Sequence, residues 1–231
     1  MILNVYMKYS LSKNSFLYEN YFYLTCDKSR ISKLIAQFLV LEKSSKIRGS
    51  MLEFGVFKGN SLFRLLMFRE MLKLNKNFYA FDLFGKFEVP NNIDEDDLIE
   101  LNLFFKEAGN KSVSKVYLNK NLTKRRMNKN LKLIQGDIIK TLPNFLKKNK
   151  NQKFSFINID VDLYEVTFFI LESIWNKVSK GGIIWLDDYG EKKENQFPGA
   201  TRAIKKFIKK NKDMKLKKIK FDRNYYYCVK V

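Results

Sequence analysis

Histidine is missing from all 231 residues of this chain. That removes histidine-based catalytic triads, histidine-ligated zinc and imidazole general bases from consideration. Acid–base or metal chemistry then falls to Asp, Glu, Lys or Tyr. Cysteine is nearly as scarce. Cys26 and Cys228 lie far apart, with neither a CxxC pair nor a zinc pattern, so a reduced cytoplasm is the expected compartment. The three prolines and ten glycines are nowhere gathered into a linker, which points to one domain. No apolar run approaches the roughly 20 residues that span a bilayer. The opening MILNVYMKYSLSKNSF lacks the apolar core and small-residue cleavage site of a signal peptide.

What is present is apolar and basic. A hydrophobic content of 45%, a third of it aromatic (15% of the chain), argues for a packed core rather than disorder. The formal net charge of +20 would by itself suggest nucleic acid or an anionic surface. The basic residues are overwhelmingly lysine, however, whereas phosphate and base recognition favour arginine forks. A solvated lysine surface is the plainer reading, and it would still attract an anionic substrate.

Residues 1–27 are aromatic and irregular and read as an N-terminal arm. Residues 28–231 read as a single domain. Asp27 or Ser29 can cap a helix carrying Ile31, Leu34, Ile35, Phe38, Leu39 and Leu41. Strands are expected at 50–56, 78–81, 131–135, 154–159 and 183–186, and helices at 61–74, 163–178 and 200–210. Gly181 and Gly182 read as the turn between the second of these helices and the last of these strands. Alternation of this kind predicts a parallel sheet with helices on both faces. Residues 216–221 and 225–231, around Asp222, Arg223 and Asn224, then predict an antiparallel hairpin that brings the sheet to seven strands. The stretch 84–130 is too long for an ordinary connection and reads as a lid over substrate, the alternative being one amphipathic helix plus a loop.

Four of the expected core strands end in a carboxylate: Asp82, Asp137, Asp160 and Asp187. Ligands of an open parallel sheet sit at the carboxyl ends of its strands. Glu53 lies inside an apolar strand, so it either faces solvent at an edge or needs donors or a cation, such as the ammonium of a methionine-type cofactor. Gly55 and Gly59 follow it in a turn that opens a helix. Asp82 can accept both hydroxyls of a ribose, and Asp137 can accept from an adenine amino group; each could also be a plain turn aspartate. The strongest feature is NIDVDLY (158–164) paired with WLDDY (185–189). Strands about 4.8 Å apart let Asp160, Asp187 and Asp188 converge. Without a cation they would repel; with Mg2+ or Mn2+ they form a hard oxygen site that can bind two hydroxyls. Asp162 stands beside them as general base. Helix capping would account for one of these aspartates, not four.

These segments resemble the macrocin O-methyltransferase family of class I S-adenosylmethionine-dependent methyltransferases. The carriers are LEFGVFKGNS (52–61), FDLFGKF (81–87), QGD (135–137), IDVDLYEVT (159–167), GGIIWLDDYG (181–190) and PGATRAIKKF (198–207), in the family's order. The resemblance implies an α/β, Rossmann-like methyltransferase fold and transfer of a methyl group from S-adenosylmethionine to a sugar hydroxyl. It implies cofactor contacts at Glu53, Gly55, Val56, Gly59, Ser61, Asp82, Gln135 and Asp137. It implies metal ligation by Asp160, Asp187 and Asp188, with Asp162 as base. Tyr164, Tyr189 and Arg202 would border a sugar-containing substrate. FDLFGKF departs from the family's usual acidic, glycine-containing turn, and the 84–130 stretch has no match. A methyltransferase acting on RNA or another small molecule and a non-catalytic cofactor-binding partner subunit are the alternatives. The absence of a separate RNA-binding module weighs against RNA, and the retained aspartates weigh against the partner subunit. The arm and the lid could pack across a homodimer.

Overall fold

The computed structural model describes residues 15–90, 93–190 and 197–231. Two helices come first, α1 (Ser15–Thr25) and α2 (Lys28–Lys43). They are followed by β1 (Ser50–Phe54), α3 (Asn60–Met71) and β2 (Phe78–Asp82). Two further helices, α4 (Glu95–Ala108) and α5 (Lys115–Lys124), fill the expected lid. Then come β3 (Leu131–Gln135), α6 (Ile138–Lys148), β4 (Phe154–Ile159), α7 (Tyr164–Ile174), β5 (Val178–Leu186) and α8 (Pro198–Lys210). The hairpin β6 (Met214–Lys220) and β7 (Asn224–Lys230) closes the described chain.

All seven strands form one sheet in the order β3-β2-β1-β4-β5-β7-β6. Strands β1 to β5 pair in parallel, and β7 runs antiparallel between β5 and β6. From β1 the chain builds outward to β3 and then returns to β4 beside β1. This reversal opens a crevice at the carboxyl ends of β1 and β4, where ligands of such sheets bind.

Alternation along β1 sorts the core into two layers. Met51 packs with Ala36, Val40, Leu62 and Leu65 under α2 and α3, while Leu52 and Phe54 pack with Ile170, Leu171 and Phe207 under α7 and α8. Each fully buried side chain of this size contributes on the order of 2 kcal/mol. Glu53 shares its face with Met51, so its carboxylate points into the α2–α3 layer. Edge strand β6 exposes Lys215, Lys217 and Lys218, charges that discourage pairing with another chain. Among the described residues no helix is long and apolar enough to cross a membrane.

Several elements differ from the sequence pattern. Helix α2 is capped by Asp27, but its buried side holds Ser32, Ala36, Gln37, Val40 and Leu41, while Ile35 stays exposed. The helix is rotated because Ser32 meets Asp222 and Tyr225, and Gln37 reaches Asn158. Helix α7 ends at Ile174, a 3-10 turn covers Trp175–Lys177, and Val178 already belongs to β5. Gly181 and Gly182 therefore lie within a strand, where residues 179–182 form an irregularity between the pairs Phe154↔Val178 and Phe156↔Ile183. Gly181, at φ 76°, absorbs the bend. Helix α6 falls where the pattern suggested no element, for Pro143 inside it obscures the helical spacing. Of the N-terminal arm, residues 1–14 lie outside the described residues; Ser15–Thr25 forms α1, none of whose residues is buried, and Asp27 already caps α2.

Residues 84–130 divide into two unlike parts. Leu118 and Leu122 of α5, with Met127, join the core. Helix α4 buries only Asp97 and Leu101.

Candidate active site

Glu53 is fully buried at the carboxyl end of β1. Its Oε1 accepts from Asn158 Nδ2 at 3.1 Å, a residue paired with it across β1 and β4. Gln37 Nε2 donates to Asn158 Oδ1 at 3.4 Å, and Arg64 Nε donates to Gln37 Oε1 at 2.7 Å. A polar relay thus runs from α3 through α2 and β4 to Glu53. Among the described residues, Glu53 Oε2 has no partner. Burial pushes the Glu53 carboxyl up to about 7, against the pull of the Ser61 and Asn158 side chains and the Arg64 charge. A buried acceptor oxygen of this kind fits a cationic donor.

The other expected cofactor residues gather around the same crevice. Asp82 Oδ2 accepts from the backbone N–H groups of Val56 (2.8 Å) and Phe57 (2.9 Å), and Oδ1 accepts from Phe84 at 2.6 Å. The carboxylate therefore ties the turn after β1 to the turn after β2, with one of its roughly four lone-pair sites left. Phe57 and Phe84 both sit at φ 47°, a costly conformation for a bulky residue, which these bonds hold in place. Gly55 has φ 86°, and a Cβ there would lie 1.7 Å from the Asp160 carbonyl oxygen. Its lack of a side chain lets the end of β4 close in. Gly59, at φ 94°, is the N-cap of α3 and faces Leu118. Asp137 caps α6 by accepting from Ile139 N–H at 2.9 Å. Gln135 is exposed and pairs with Asp82 in the sheet register.

The second constellation stands at the ends of β4 and β5. The pair Ile159↔Leu186 sets the following residues side by side. Asp160, Asp187 and Asp188 each offer a carboxylate oxygen, and these oxygens lie within 4.8 Å of one another. Asp162 takes φ 65°, and its N–H donates to Asp188 Oδ2 at 3.2 Å. Aspartate tolerates this left-handed conformation better than most residues, yet it is strained and held by its neighbour. Asp187 is engaged at both oxygens: Oδ1 accepts from Trp185 Nε1 at 2.9 Å and Oδ2 from Lys33 Nζ at 2.6 Å.

The charges respond to this crowding. Burial and the nearby Asp187 push the Asp160 carboxyl well above the usual range. Burial, then Asp162 and Asp160, do the same to Asp188. Asp162 rises to about 7 through burial and Asp187, moderated by its contact with Asp188 and by Lys33. Burial would lift Asp187 too, but the charge and hydrogen bond of Lys33, with the bond from Trp185, bring it below the usual value.

Lys33 and Gln37 of this site escaped the sequence pattern, and Asn158 stands in the NIDVDLY segment with no role of its own there. Lys33 reads there as one more surface lysine, since nothing in its spacing marks the contact with Asp187. Gln37 and Asn158 carry a faint signal, each being polar on an otherwise buried face.

The expected substrate residues have partners of their own. Tyr164 opens α7, and its hydroxyl accepts from Lys206 Nζ at 3.0 Å. Tyr189 packs edge-on against Tyr226. Arg202 of α8 pairs with Asp94 and Asp96 at the start of α4. Beside them, buried Asp97 accepts from Gly199 N–H at 2.8 Å, and a Cβ on Gly199 would lie 1.8 Å from Asp97 Oδ2. Phe104 lies 5.2 Å from Phe57 and 6.3 Å from Phe197, measured between ring centroids. Helix α4 thus bridges the glycine turn and α8.

The model of the family Macrocin-O-methyltransferase (TylF) matches residues 24–227. No curated protein matches by sequence. Among solved structures, the calicheamicin methyltransferase CalS11 is 21% identical and superposes with a TM-score of 0.73 over 96% of this chain and 87% of that one. The O-methyltransferase NovP is 20% identical, with a TM-score of 0.68 over 87% of this chain and 79% of that one. The methyltransferase PaMTH1 of Podospora anserina, bound to SAH, is 14% identical, with a TM-score of 0.51 over 84% of this chain and 76% of that one. At these identities the structures establish a common Rossmann-like fold. The family match spans nearly the whole chain, so this protein belongs to the macrocin O-methyltransferase family and is an S-adenosylmethionine-dependent O-methyltransferase.

Proposed function

We propose that this enzyme methylates a hydroxyl of a sugar or glycosylated acceptor, with Mg2+ or Mn2+ held by Asp160, Asp187 and Asp188 and with Asp162 as general base. The observation that carries the reading is the convergence of three carboxylate oxygens within 4.8 Å. Such a group repels itself unless a cation joins it, and all-oxygen donors suit a hard divalent ion. The Lys33 ammonium, already against Asp187, is a stand-in for that positive charge. When bound, the ion would draw adjacent hydroxyls of the acceptor together and lower the pKa of the one attacked.

The chain's own residues supply the rest. Asp162, strained at φ 65° beside the three carboxylates, would take the hydroxyl proton on its carboxylate. The unpartnered Glu53 Oε2 suits the ammonium of the cofactor's methionine part. Asp82 would use its remaining lone pair on a ribose hydroxyl, in the turn formed by Gly55, Val56, Gly59 and Ser61, with Gln135 and Asp137 toward the adenine. Helix α4 would act as the cover, excluding water while donor methyl and acceptor oxygen are held in line. Tyr164, Tyr189 and Arg202 would border the acceptor. The sugar class draws support from the description of CalS11 as a TDP-rhamnose 3'-O-methyltransferase.

The decisive experiment assays methyl transfer to a panel of nucleotide-linked and glycosylated acceptors, with Mg2+ and with EDTA. Activity should require the metal; full activity in EDTA removes it from the reading. Asp162→Asn should keep Mn2+ binding and lose turnover by about 10²- to 10⁴-fold. A near-normal rate excludes Asp162 as the base.

A further inference from the structure

Lys33 has no part in the methyl transfer just described, yet it stands inside the carboxylate cluster. Its Nζ lies 2.6 Å from Asp187 Oδ2, and the two side chains retain only 17% and 10% of their exposure. Asp187 is a ligand of the proposed cation site, and Oδ2 is the oxygen that Trp185 Nε1 does not hold. The ammonium and a divalent ion therefore compete for the same carboxylate. A Mg2+ ion bound about 2.1 Å from that oxygen would meet the ammonium at close range with like charge. Both cannot hold Oδ2 without strong repulsion.

Lys33 does not arrive there by chance packing. Its helix is pinned on either side of it. The preceding residue, Ser32, bonds Asp222 and the Tyr225 hydroxyl in the terminal hairpin. One turn further on, Gln37 bonds Asn158 and Arg64. The stem of Lys33 thus starts from a fixed point, and only its flexible end can leave Asp187. Nor is Lys33 needed to orient that carboxylate, because Trp185 Nε1 already holds Oδ1 at 2.9 Å.

We propose that Lys33 is a tethered competitor for the cation site: its ammonium neutralises Asp187 in the metal-free enzyme, and it must release Oδ2 before a divalent ion can engage all three aspartates. The inference rests on the proposed metal reading. It predicts that Lys33 weakens metal affinity, the opposite of what a supporting strut would do.

Mn2+ binding measured by electron paramagnetic resonance on the full chain, without acceptor, tests this. Lys33→Met, which keeps an apolar stem and removes the charge, should bind Mn2+ at least about tenfold tighter than the parent, in line with the loss of a nearby like charge. Lys33→Arg should stay near the parent. Equal or weaker binding by Lys33→Met overturns the proposal while leaving the metal site standing. No Mn2+ binding by either the parent or Lys33→Met overturns both. A readout on the unaltered chain guards against misfolding of the variant. Acetylation of Lys33, followed by mass spectrometry, should quicken at least threefold when Mn2+ is saturating, and an unchanged rate also overturns the proposal.

Discussion

Two sets of aspartates stand at the same edge of this sheet, and their surroundings are opposite. Asp82 and Asp137 face backbone N–H groups: Asp82 accepts from three of them, and Asp137 caps α6. Asp160, Asp162, Asp187 and Asp188 face one another, with Lys33 the cation in direct contact among the described residues. The first set stabilises the fold, because charge-assisted bonds to backbone donors are worth more than neutral ones. The second set destabilises the free protein, because each charge raises the energy of the next. A strand-ending aspartate is therefore not evidence of chemistry by itself. Its neighbours distinguish a structural tie from a reactive group.

The comparison can be broken most severely at Asp160. Asp160→Asn should lower methyl transfer by at least about 10³-fold, roughly 4 kcal/mol of transition-state stabilisation, without lowering the denaturant midpoint of the free chain. A marked loss of stability would place Asp160 with the structural set instead.

Gly55→Ala attacks both sets together. The added Cβ would overlap the Asp160 carbonyl oxygen, 1.7 Å away, at a φ of 86° that alanine disfavours. A loss of about 3 kcal/mol in stability is expected, read by chemical denaturation, with weakened Mn2+ binding as its companion. Wild-type behaviour would mean that the approach of β4 to the turn is not required.

Glu53 sharpens the comparison through pH. Its folded value of about 7 lies above the ordinary 4.5, so the folded protein holds a proton that the unfolded chain releases between these values. The associated stability is complete below pH 4.5 and lost as pH rises through 7. The parent should therefore lose about 2 kcal/mol more than Glu53→Gln between pH 5 and pH 8. Parallel stability curves for the two chains would show that Glu53 is already ionised.

The smallest effects have opposite signs. Asp82→Asn should destabilise the free chain by about 1–2 kcal/mol, since an amide cannot accept at both positions. Asp188→Asn should stabilise it by about 1 kcal/mol through relief of like charge, at the expense of activity. Thermal melts of both variants check the pair, and a shared sign would erase the distinction.

Much of this was legible in the residues. All five parallel strands were readable as short apolar runs, though β5 starts earlier than its run suggested, because a doubly covered sheet demands continuous burial. The hairpin was readable from its turn. Asp160, Asp187 and Asp188 were readable because they sit at equivalent ends of adjacent strands. Elsewhere the pattern misled for identifiable reasons. Pro143 hid α6, two glycines resembled a turn where they form a strand irregularity, and the rotation of α2 depended on polar partners distant in sequence. Nor does composition reveal that α5 belongs to the core while α4 lies over it.

The order of motifs along the chain determined by itself the family, the parallel sheet and which acids reach its carboxyl edge. These follow from local periodicity and from strand ends that pairing brings into line. Only the tertiary structure decided what each acid faces. Asp82 meets the amides of a turn formed some 25 residues earlier, and Lys33 crosses 154 positions to reach Asp187. Contacts at such separations depend on how helices rotate and dock against the sheet. The carboxylate cluster inferred from the motifs therefore acquired its resident lysine only when α2 packed over β4 and β5.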